Sequence, residues 1–340
     1  MSGELDLRPQ WPAEQLRLCG EYGVFEWFIS PEWGGQGWSD EQVVRGYHAL
    51  AAACLTTTFI ITQRTGACKR IAGSENEPLK SRLLPELASG EKFATVGISH
   101  LTTSRQHLGK PALAADAIAG GFLLNGMSPW VTGGAAADWI VLAASVVNEG
   151  DDDRQLLVAV PADWPGIAIA EPLPLVGFGA SATGPVHLKN VEVAEQWLIA
   201  GPVRHVMASG VGAGTGSFET STLAIGLAKA AIDFLADEAS RRADLQQPWA
   251  ALESDHEQLF DELLAVARGD TRTTKESLRQ RANSLALRAS QASLAAAKGS
   301  GYVVGHPAGR WCREALFFLV WSCPHPVATA NMCELAGILE

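Results

Sequence analysis

The sequence predicts a multidomain α+β protein, with an N-terminal helical domain, a central antiparallel β domain of barrel-like form and a C-terminal domain resembling a four-helix bundle. Three observations carry this. Apolar residues recur at helical spacing from Pro12 to about Lys92. From Phe93 they fall into short runs separated by Gly, Asn, Asp and Pro clusters, the texture of antiparallel strands. Beyond Pro202 long segments rich in Ala and Leu return. The boundaries drawn from these changes are 1–92, 93–200 and 201–340.

In the first part, Ala13–Cys19 is a short amphipathic helix, and Asp40–Ala53 carries Val43, Val44, Tyr47, Leu50 and Ala51 at helical spacing. Glu77–Ala88 repeats the pattern with Leu79, Leu83, Leu84 and Leu87. The loop from Ser30 to Gly37 (SPEWGGQG) contains no nucleophile or obvious ligand and reads as an interhelical turn, followed by Ser39 as an N-cap.

The strands expected in the second part are Phe93–Ser99, Phe122–Met127, Trp139–Val146, Gln155–Val160, Gly166–Ala170 and Gly184–Val193. The polar segment Asn148–Arg154 is a solvated hairpin turn. In the third part, helices are expected over Thr220–Arg242, from Gln247 to about Arg268, and from Thr273 to Lys298 with Gly299 closing the last. Pro307 opens a further helix that continues to Trp321 and is stopped by Pro324, and Val327–Leu339 is the last.

A chain of 340 residues is long enough for two or three packed units. Its net charge of −11 leaves no electrostatic footprint for nucleic acid or an anionic membrane. The first residues lack a basic start and apolar core, and no apolar run approaches the ~18 residues of a membrane span, so a cytoplasmic protein is expected. Its six cysteines show no paired spacing; they are expected to be buried thiols, with no metal site.

The most informative stretch is Leu124–Ala137, LNGMSPWVTGGAAA. In a strand, residues i and i+2 share a face, so Trp130 and Thr132 would offer a flat ring beside a hydroxyl, between glycines that let another group approach. A planar, hydrogen-bonding cofactor needs this arrangement. The same residues also suit a buried Trp and a strand-favouring Thr at a sheet edge.

The order of helices, sheet and helices, with its punctuating residues, resembles the acyl-CoA dehydrogenase flavoprotein superfamily over nearly the whole chain. Pro31–Gly37 (PEWGGQG) is similar to the family's PE-x-GG-x-G loop, Gly97-Ile-Ser99 to its flavin-contacting Thr segment, and Trp130-Val-Thr132 to its W-x-T. Leu188–Val193 resembles the strand closing its β domain, Gly226–Arg242 the first long helix of its bundle, and Gly299–Tyr302 with Pro307, Arg310 and Arg313 its Gly-rich turn and final helix. The resemblance implies FAD as cofactor. Trp130 would pack on the isoalloxazine, Thr132 would hydrogen-bond near N5, Ser99 would contact the ring and Ser104 would reach the pyrophosphate. Arg242 and the backbone around Gly299 would contact the FAD of a neighbouring subunit in a homodimer or homotetramer. The implied activity is α,β-dehydrogenation of an acyl-CoA thioester, with hydride transfer to flavin N5 and electrons passed to an electron-transfer flavoprotein.

The departures concern the base. Gapless alignment through Pro307, Arg310 and Arg313 puts Trp321 at the family's aromatic and Ser322 at its catalytic Glu, and serine without a partner is no general base at neutral pH. The alternative base position, at the start of the first bundle helix, is Gly216; Glu219, one turn on, is the nearby carboxylate. Glu219 equally suits a helix N-terminus. Pro324-His325 replaces the family's Thr-Ser, Asp244 and Leu245 stand where other residues contact flavin, and the N-terminus is shorter by about one helix. Three readings follow: an acyl-CoA dehydrogenase with Glu219 as displaced base; a flavin-dependent monooxygenase or oxidase acting on a non-thioester substrate, served by a flavin reductase or O₂, with His100 or His325 as acid–base group; and a non-catalytic subunit of the same fold. His48 and His187 read as ordinary structural residues.

Overall fold

The computed structural model describes residues 2–102, 111–147, 153–208, 218–321 and 323–338. Helices α1 (Ser2–Leu7), α2 (Ala13–Glu21), α3 (Asp40–Ala53), α4 (Leu55–Ala72) and α5 (Glu77–Ser89) come first. Then follow β1 (Ala94–Gly97), the short α6 (Ser99–Thr102), β2 (Leu113–Ile118), β3 (Gly121–Thr132), β4 (Trp139–Val146), β5 (Arg154–Pro161), β6 (Ile167–Ile169), β7 (Thr183–Ala194) and β8 (Leu198–Arg204). Helices α7 (Phe218–Ala239), α8 (Gln246–Ala267), α9 (Lys275–Gly301), α10 (Pro307–Ala315), α11 (Phe317–Val320) and α12 (His325–Leu335) complete the order.

Ser39 caps α3 as expected, in a capping box with Gln42, and α3 buries Val43, Val44, Tyr47 and Ala51 along one face. Helix α4 is different, because it is buried nearly all round. Its Leu55, Phe59, Ile60 and Ile61 join the core shared by the N- and C-terminal helices. Its Ala67, Cys68 and Ile71 join the core under the sheet. A helix packed on every side has no polar face, which is why apolar periodicity does not mark it. Arg64 of α4 is fully buried. It donates to the carbonyls of Phe25 and Leu87 and lies 4.0 Å from the Phe25 ring centroid.

The strands form one sheet in the order β6-β7-β3-β2-β4-β5-β8, with β1 paired to β4. It is mainly antiparallel, but β1 and β2 each run parallel to β4. Trp139–Val146 is a strand over the expected residues, whereas β3 runs well past the expected Met127. Pro129 lies inside β3 because the register against β7 shifts between Ser128 and Val131, and a bulge tolerates a residue without an N–H. Strands β2 and β8 carry few β-favouring residues and were not expected.

In the last part, α7 packs against α3 where Gly226 permits close approach; a Cβ there would lie 2.7 Å from Ala51 Cβ and 2.8 Å from His48 O. The expected continuous helix from Pro307 to Trp321 is broken at Leu316 and ends at Val320. Side chains of α9 hold the carbonyls of this segment: Asn283 Nδ2 donates to Phe318 O at 3.0 Å and the buried Arg279 donates to Trp321 O at 2.9 Å. The backbone of α9 turns at Lys298 (φ 54°), one residue before the expected Gly299. Of the cysteines, Cys68 is fully buried and the other five are half-buried, so the expectation of buried thiols holds in full for one. Residues 148–152 of the expected hairpin turn lie outside the described residues. No described helix is long and apolar enough to cross a membrane.

Candidate functional site

The end of β3 builds the site. Trp130 is 37% exposed while Thr132 is 1% exposed. Thr132 Oγ1 lies 2.9 Å from Thr183 Oγ1 on β7, which lies 2.8 Å from Ser181 Oγ. Three hydroxyls joined by two hydrogen bonds leave one proton to donate elsewhere. If the chain runs from Ser181 through Thr183, that proton belongs to Thr132. The backbone is fixed as well: Thr95 Oγ1 donates to Thr132 O at 2.7 Å, and Gly133 N donates to Ser181 O at 3.0 Å. Gly133 has φ 63°, and a Cβ on it would lie 2.4 Å from the Trp11 indole, so both conformation and space require glycine.

Strand β1 passes β3 on its buried side. A Cβ at Gly97 would lie 2.7 Å from Ser128 Oγ, a buried hydroxyl with no partner among the described residues. Ser99 opens α6 two residues later. His100 donates from Nε2 to Ala143 O at 2.8 Å; since a carbonyl only accepts, Nε2 carries the proton. Burial lowers the His100 pKa and keeps the ring neutral. Ser104 lies outside the described residues, as do Gly216 and Ser322.

Glu219 sits in the first turn of α7, and Oε1 lies 2.5 Å from Lys69 Nζ on α4. Their side chains are 13% and 25% exposed. Arg242 is anchored within its own chain, donating to Ala296 O at 2.7 Å with Glu238 and Asp244 at 3.5 and 3.4 Å. A Cβ at Gly299, three residues beyond Ala296, would meet nothing within 4 Å. His325 begins α12.

Two ionisable features were not anticipated. Glu314 is 4% exposed, accepts from Thr56 Oγ1 at 3.3 Å and lies 3.7 Å from Arg310 Nε. Burial pushes its carboxyl up to about 7 despite Arg310. It borders a cavity of about 150 Å³ together with Asp6, Thr56, Phe178, Arg310 and Arg313. The charged triplet in an otherwise apolar helix was the available signal. His48, read as an ordinary residue, meets His256 of α8 with Nε2 atoms 2.9 Å apart. Burial, joined for His48 by the facing ring, lowers both to about 4.

The architecture is that of helices, a mainly antiparallel sheet with β3 inside it between β7 and β2, and a helical bundle. It matches a structure described as glutaryl-coenzyme A dehydrogenase in a glutaryl-CoA complex, with a TM-score of 0.83 at 20% identity, covering 99% of this chain and 91% of that one. A structure of KijD3 with FMN and dTDP-3-amino-2,3,6-trideoxy-4-keto-3-methyl-D-glucose matches at TM-score 0.78 and 19% identity, covering 100% and 90%. In sequence, the family described as acyl-CoA dehydrogenase, N-terminal domain, matches residues 2–91. A probable acyl-CoA dehydrogenase of Bacillus subtilis strain 168, YngJ, is 24% identical over 332 residues, covering 92% of this chain and 86% of the relative. The chain thus carries the acyl-CoA dehydrogenase N-terminal domain over residues 2–91 and is similar to acyl-CoA dehydrogenases over nearly its whole length.

Proposed function

We propose that the protein is an FAD-dependent oxidoreductase that dehydrogenates an acyl-CoA thioester between its α and β carbons. The observation that carries this is the pairing of a half-open Trp130 ring with a Thr132 hydroxyl whose hydrogen-bond chain leaves a proton to donate. FAD supplies the acceptor for the two electrons that leave the substrate. Trp130 offers the flat apolar face, Thr132 the donor at the ring edge, and Ser99 and Ser104 further polar contacts. The free space at Gly299, and Arg242 held on Ala296 of the same helix, suit approach by a neighbour's cofactor, so the working form is a homodimer or homotetramer, cytoplasmic, passing electrons to an electron-transfer flavoprotein. We take 1–92, 93–200 and 201–340 as its domains, with the cofactor between the second and third. Glu219 is the carboxylate nominated to take the α-proton, with Ser322 at the family's usual position.

The ion pair of Glu219 with Lys69 favours a second reading, in which the same fold serves a flavin-dependent monooxygenase or oxidase on a non-thioester substrate, supplied by a flavin reductase. The fold likeness to the KijD3 complex, whose ligand is a sugar nucleotide, is compatible with it. A visible spectrum followed by anaerobic titration with acyl-CoAs decides between them. Bleaching that Glu219→Gln abolishes supports the dehydrogenase with a displaced base. Bound flavin that no thioester bleaches supports the second reading, and a protein that cannot be loaded with FAD leaves only a non-catalytic subunit.

A further inference from the structure

The cavity beside α10 is lined by four ionisable side chains, Asp6, Arg310, Arg313 and Glu314, and their pairing leaves one charge over. The donors of Arg313 are largely spent: Nη2 lies 2.6 Å from both carboxylate oxygens of Asp6 on α1, and Nη1 donates to Gly309 O at 3.1 Å. Those of Arg310 are free. Its Nε stands 3.7 Å from Glu314 Oε2, close enough for charge attraction and too long for a hydrogen bond. Neither Nη of Arg310 has a hydrogen-bond partner among the described residues, although its side chain is only 13% exposed.

Glu314 does not complete the balance. It accepts from Thr56 Oγ1, and burial outweighs the attraction of Arg310 and Arg313, with Asp6 acting in the same sense as burial, so the carboxyl titrates at about 7. With Glu314 protonated, Asp6 cancels Arg313 and the charge of Arg310 stands unneutralised. The rest of the lining is largely apolar, including Leu5, Pro9, Leu175 and Phe178. The volume of about 150 Å³ is about five times the ~30 Å³ share of one water molecule.

A guanidinium fork with unspent N–H groups gives two parallel hydrogen bonds to a carboxylate. A neighbouring carboxylic acid can donate a third, and apolar walls accept a short aliphatic tail. We propose that this cavity binds a small free carboxylate of about two to four carbons, its head between Arg310 and Glu314 and its tail against Leu5, Leu175 and Phe178. Phosphate is the poorer complement, because a dianion faces Asp6 as well and gains nothing from the apolar walls. None of these residues belongs to the proposed flavin contacts, and the site needs no flavin to take its ligand.

Calorimetric titration of the full-length protein with sodium butyrate, compared with n-butylammonium chloride at equal ionic strength, tests this. The expected dissociation constant for butyrate at pH 6 is on the order of 1 mM, with no binding of the cation. Because Glu314 has to hold a proton to receive the carboxylate, affinity is expected to fall as pH rises through 7, approaching about tenfold per pH unit. Glu314→Gln keeps an N–H donor without a titrating proton; it is expected to retain the pH 6 affinity within about threefold and to lose the fall. Arg310→Lys keeps the charge without the fork and is expected to weaken butyrate about tenfold or more. If Arg310→Lys fails to fold, the pH profile of Glu314→Gln carries the test. Wild-type protein that does not bind butyrate, or binds butylammonium equally, overturns the site. So does wild-type pH dependence in Glu314→Gln, or unchanged affinity in a folded Arg310→Lys. Inorganic phosphate bound as tightly as butyrate overturns the carboxylate assignment.

Discussion

Glu219 and Lys69 form an ion pair at 2.5 Å that ties the first turn of α7 to α4. The carboxylate nominated as a displaced base is thus also a tertiary clamp, and the two roles separate by substitution. Lys69→Met is expected to cost roughly 1–3 kcal/mol, between the values for exposed and buried pairs, because it takes the lysine's charge from a mostly covered carboxylate. Urea unfolding measures this. If Glu219 is the base, Glu219→Gln slows flavin bleaching by about 100-fold or more while the bound-flavin spectrum is retained.

Trp130 carries little of the fold but much of the proposed cofactor contact. Its ring is 37% exposed. Trp130→Ala is expected to change stability by less than about 1 kcal/mol while weakening FAD binding by about fivefold or more, since stacked aromatic contacts contribute roughly 0.5–1.5 kcal/mol beyond area. Quenching of FAD fluorescence during titration of the apoprotein reads the affinity. Equal retention of FAD by the variant argues against a stacking role.

Burial holds Glu314 at about 7 in the folded chain against an ordinary value of 4.5. Because the folded pKa is the higher one, the protonated group's contribution is complete below pH 4.5 and is lost as pH rises through 7. The loss amounts to roughly 3 kcal/mol. Glu314→Gln is expected to remove this slope from a plot of unfolding free energy against pH and to be the more stable protein at pH 8. An unchanged slope places the titration elsewhere.

The His48 and His256 rings titrate in the opposite sense. Both are lowered to about 4 from 6.5, so their neutral forms favour the fold; that contribution is present above pH 6.5 and is lost as pH falls through 4. The pair shares one contact and acts as a unit. His256→Gln is expected to reduce the stability lost between pH 6.5 and 4, as followed by thermal unfolding. Lys229, Asp233 and Glu257 also face the pair and set a background slope common to both proteins.

Gly226→Ala opposes two effects. Alanine gains about 1 kcal/mol of helix propensity over glycine. Its Cβ, however, would stand 2.7 Å from Ala51 Cβ and 2.8 Å from a backbone carbonyl, and overpacking of this kind costs roughly 1–3 kcal/mol. The carbonyl belongs to a packed helix and cannot turn aside, so net destabilisation and a lower Tm are expected.

The sequence by itself determined the order of helices, sheet and helices, the limits of α3 and β4, and the superfamily to which Trp130-Val-Thr132 and the Gly-rich turns point. These depend on local periodicity, caps and turn residues, which act within a few positions of the chain. It marked neither α4, whose all-round burial removes the polar face, nor the continuation of β3 through Pro129, which only pairing with β7 permits. Nor did it mark the bonds by which Arg279 and Asn283 hold the carbonyls of Trp321 and Phe318, 42 and 35 residues away in sequence. The hydroxyl chain from Thr132 to Ser181, the tie between Glu219 and Lys69 and the raised Glu314 were decided only by tertiary structure. Each joins residues far apart in sequence, where distance and desolvation, set by packing, fix the chemistry of the group.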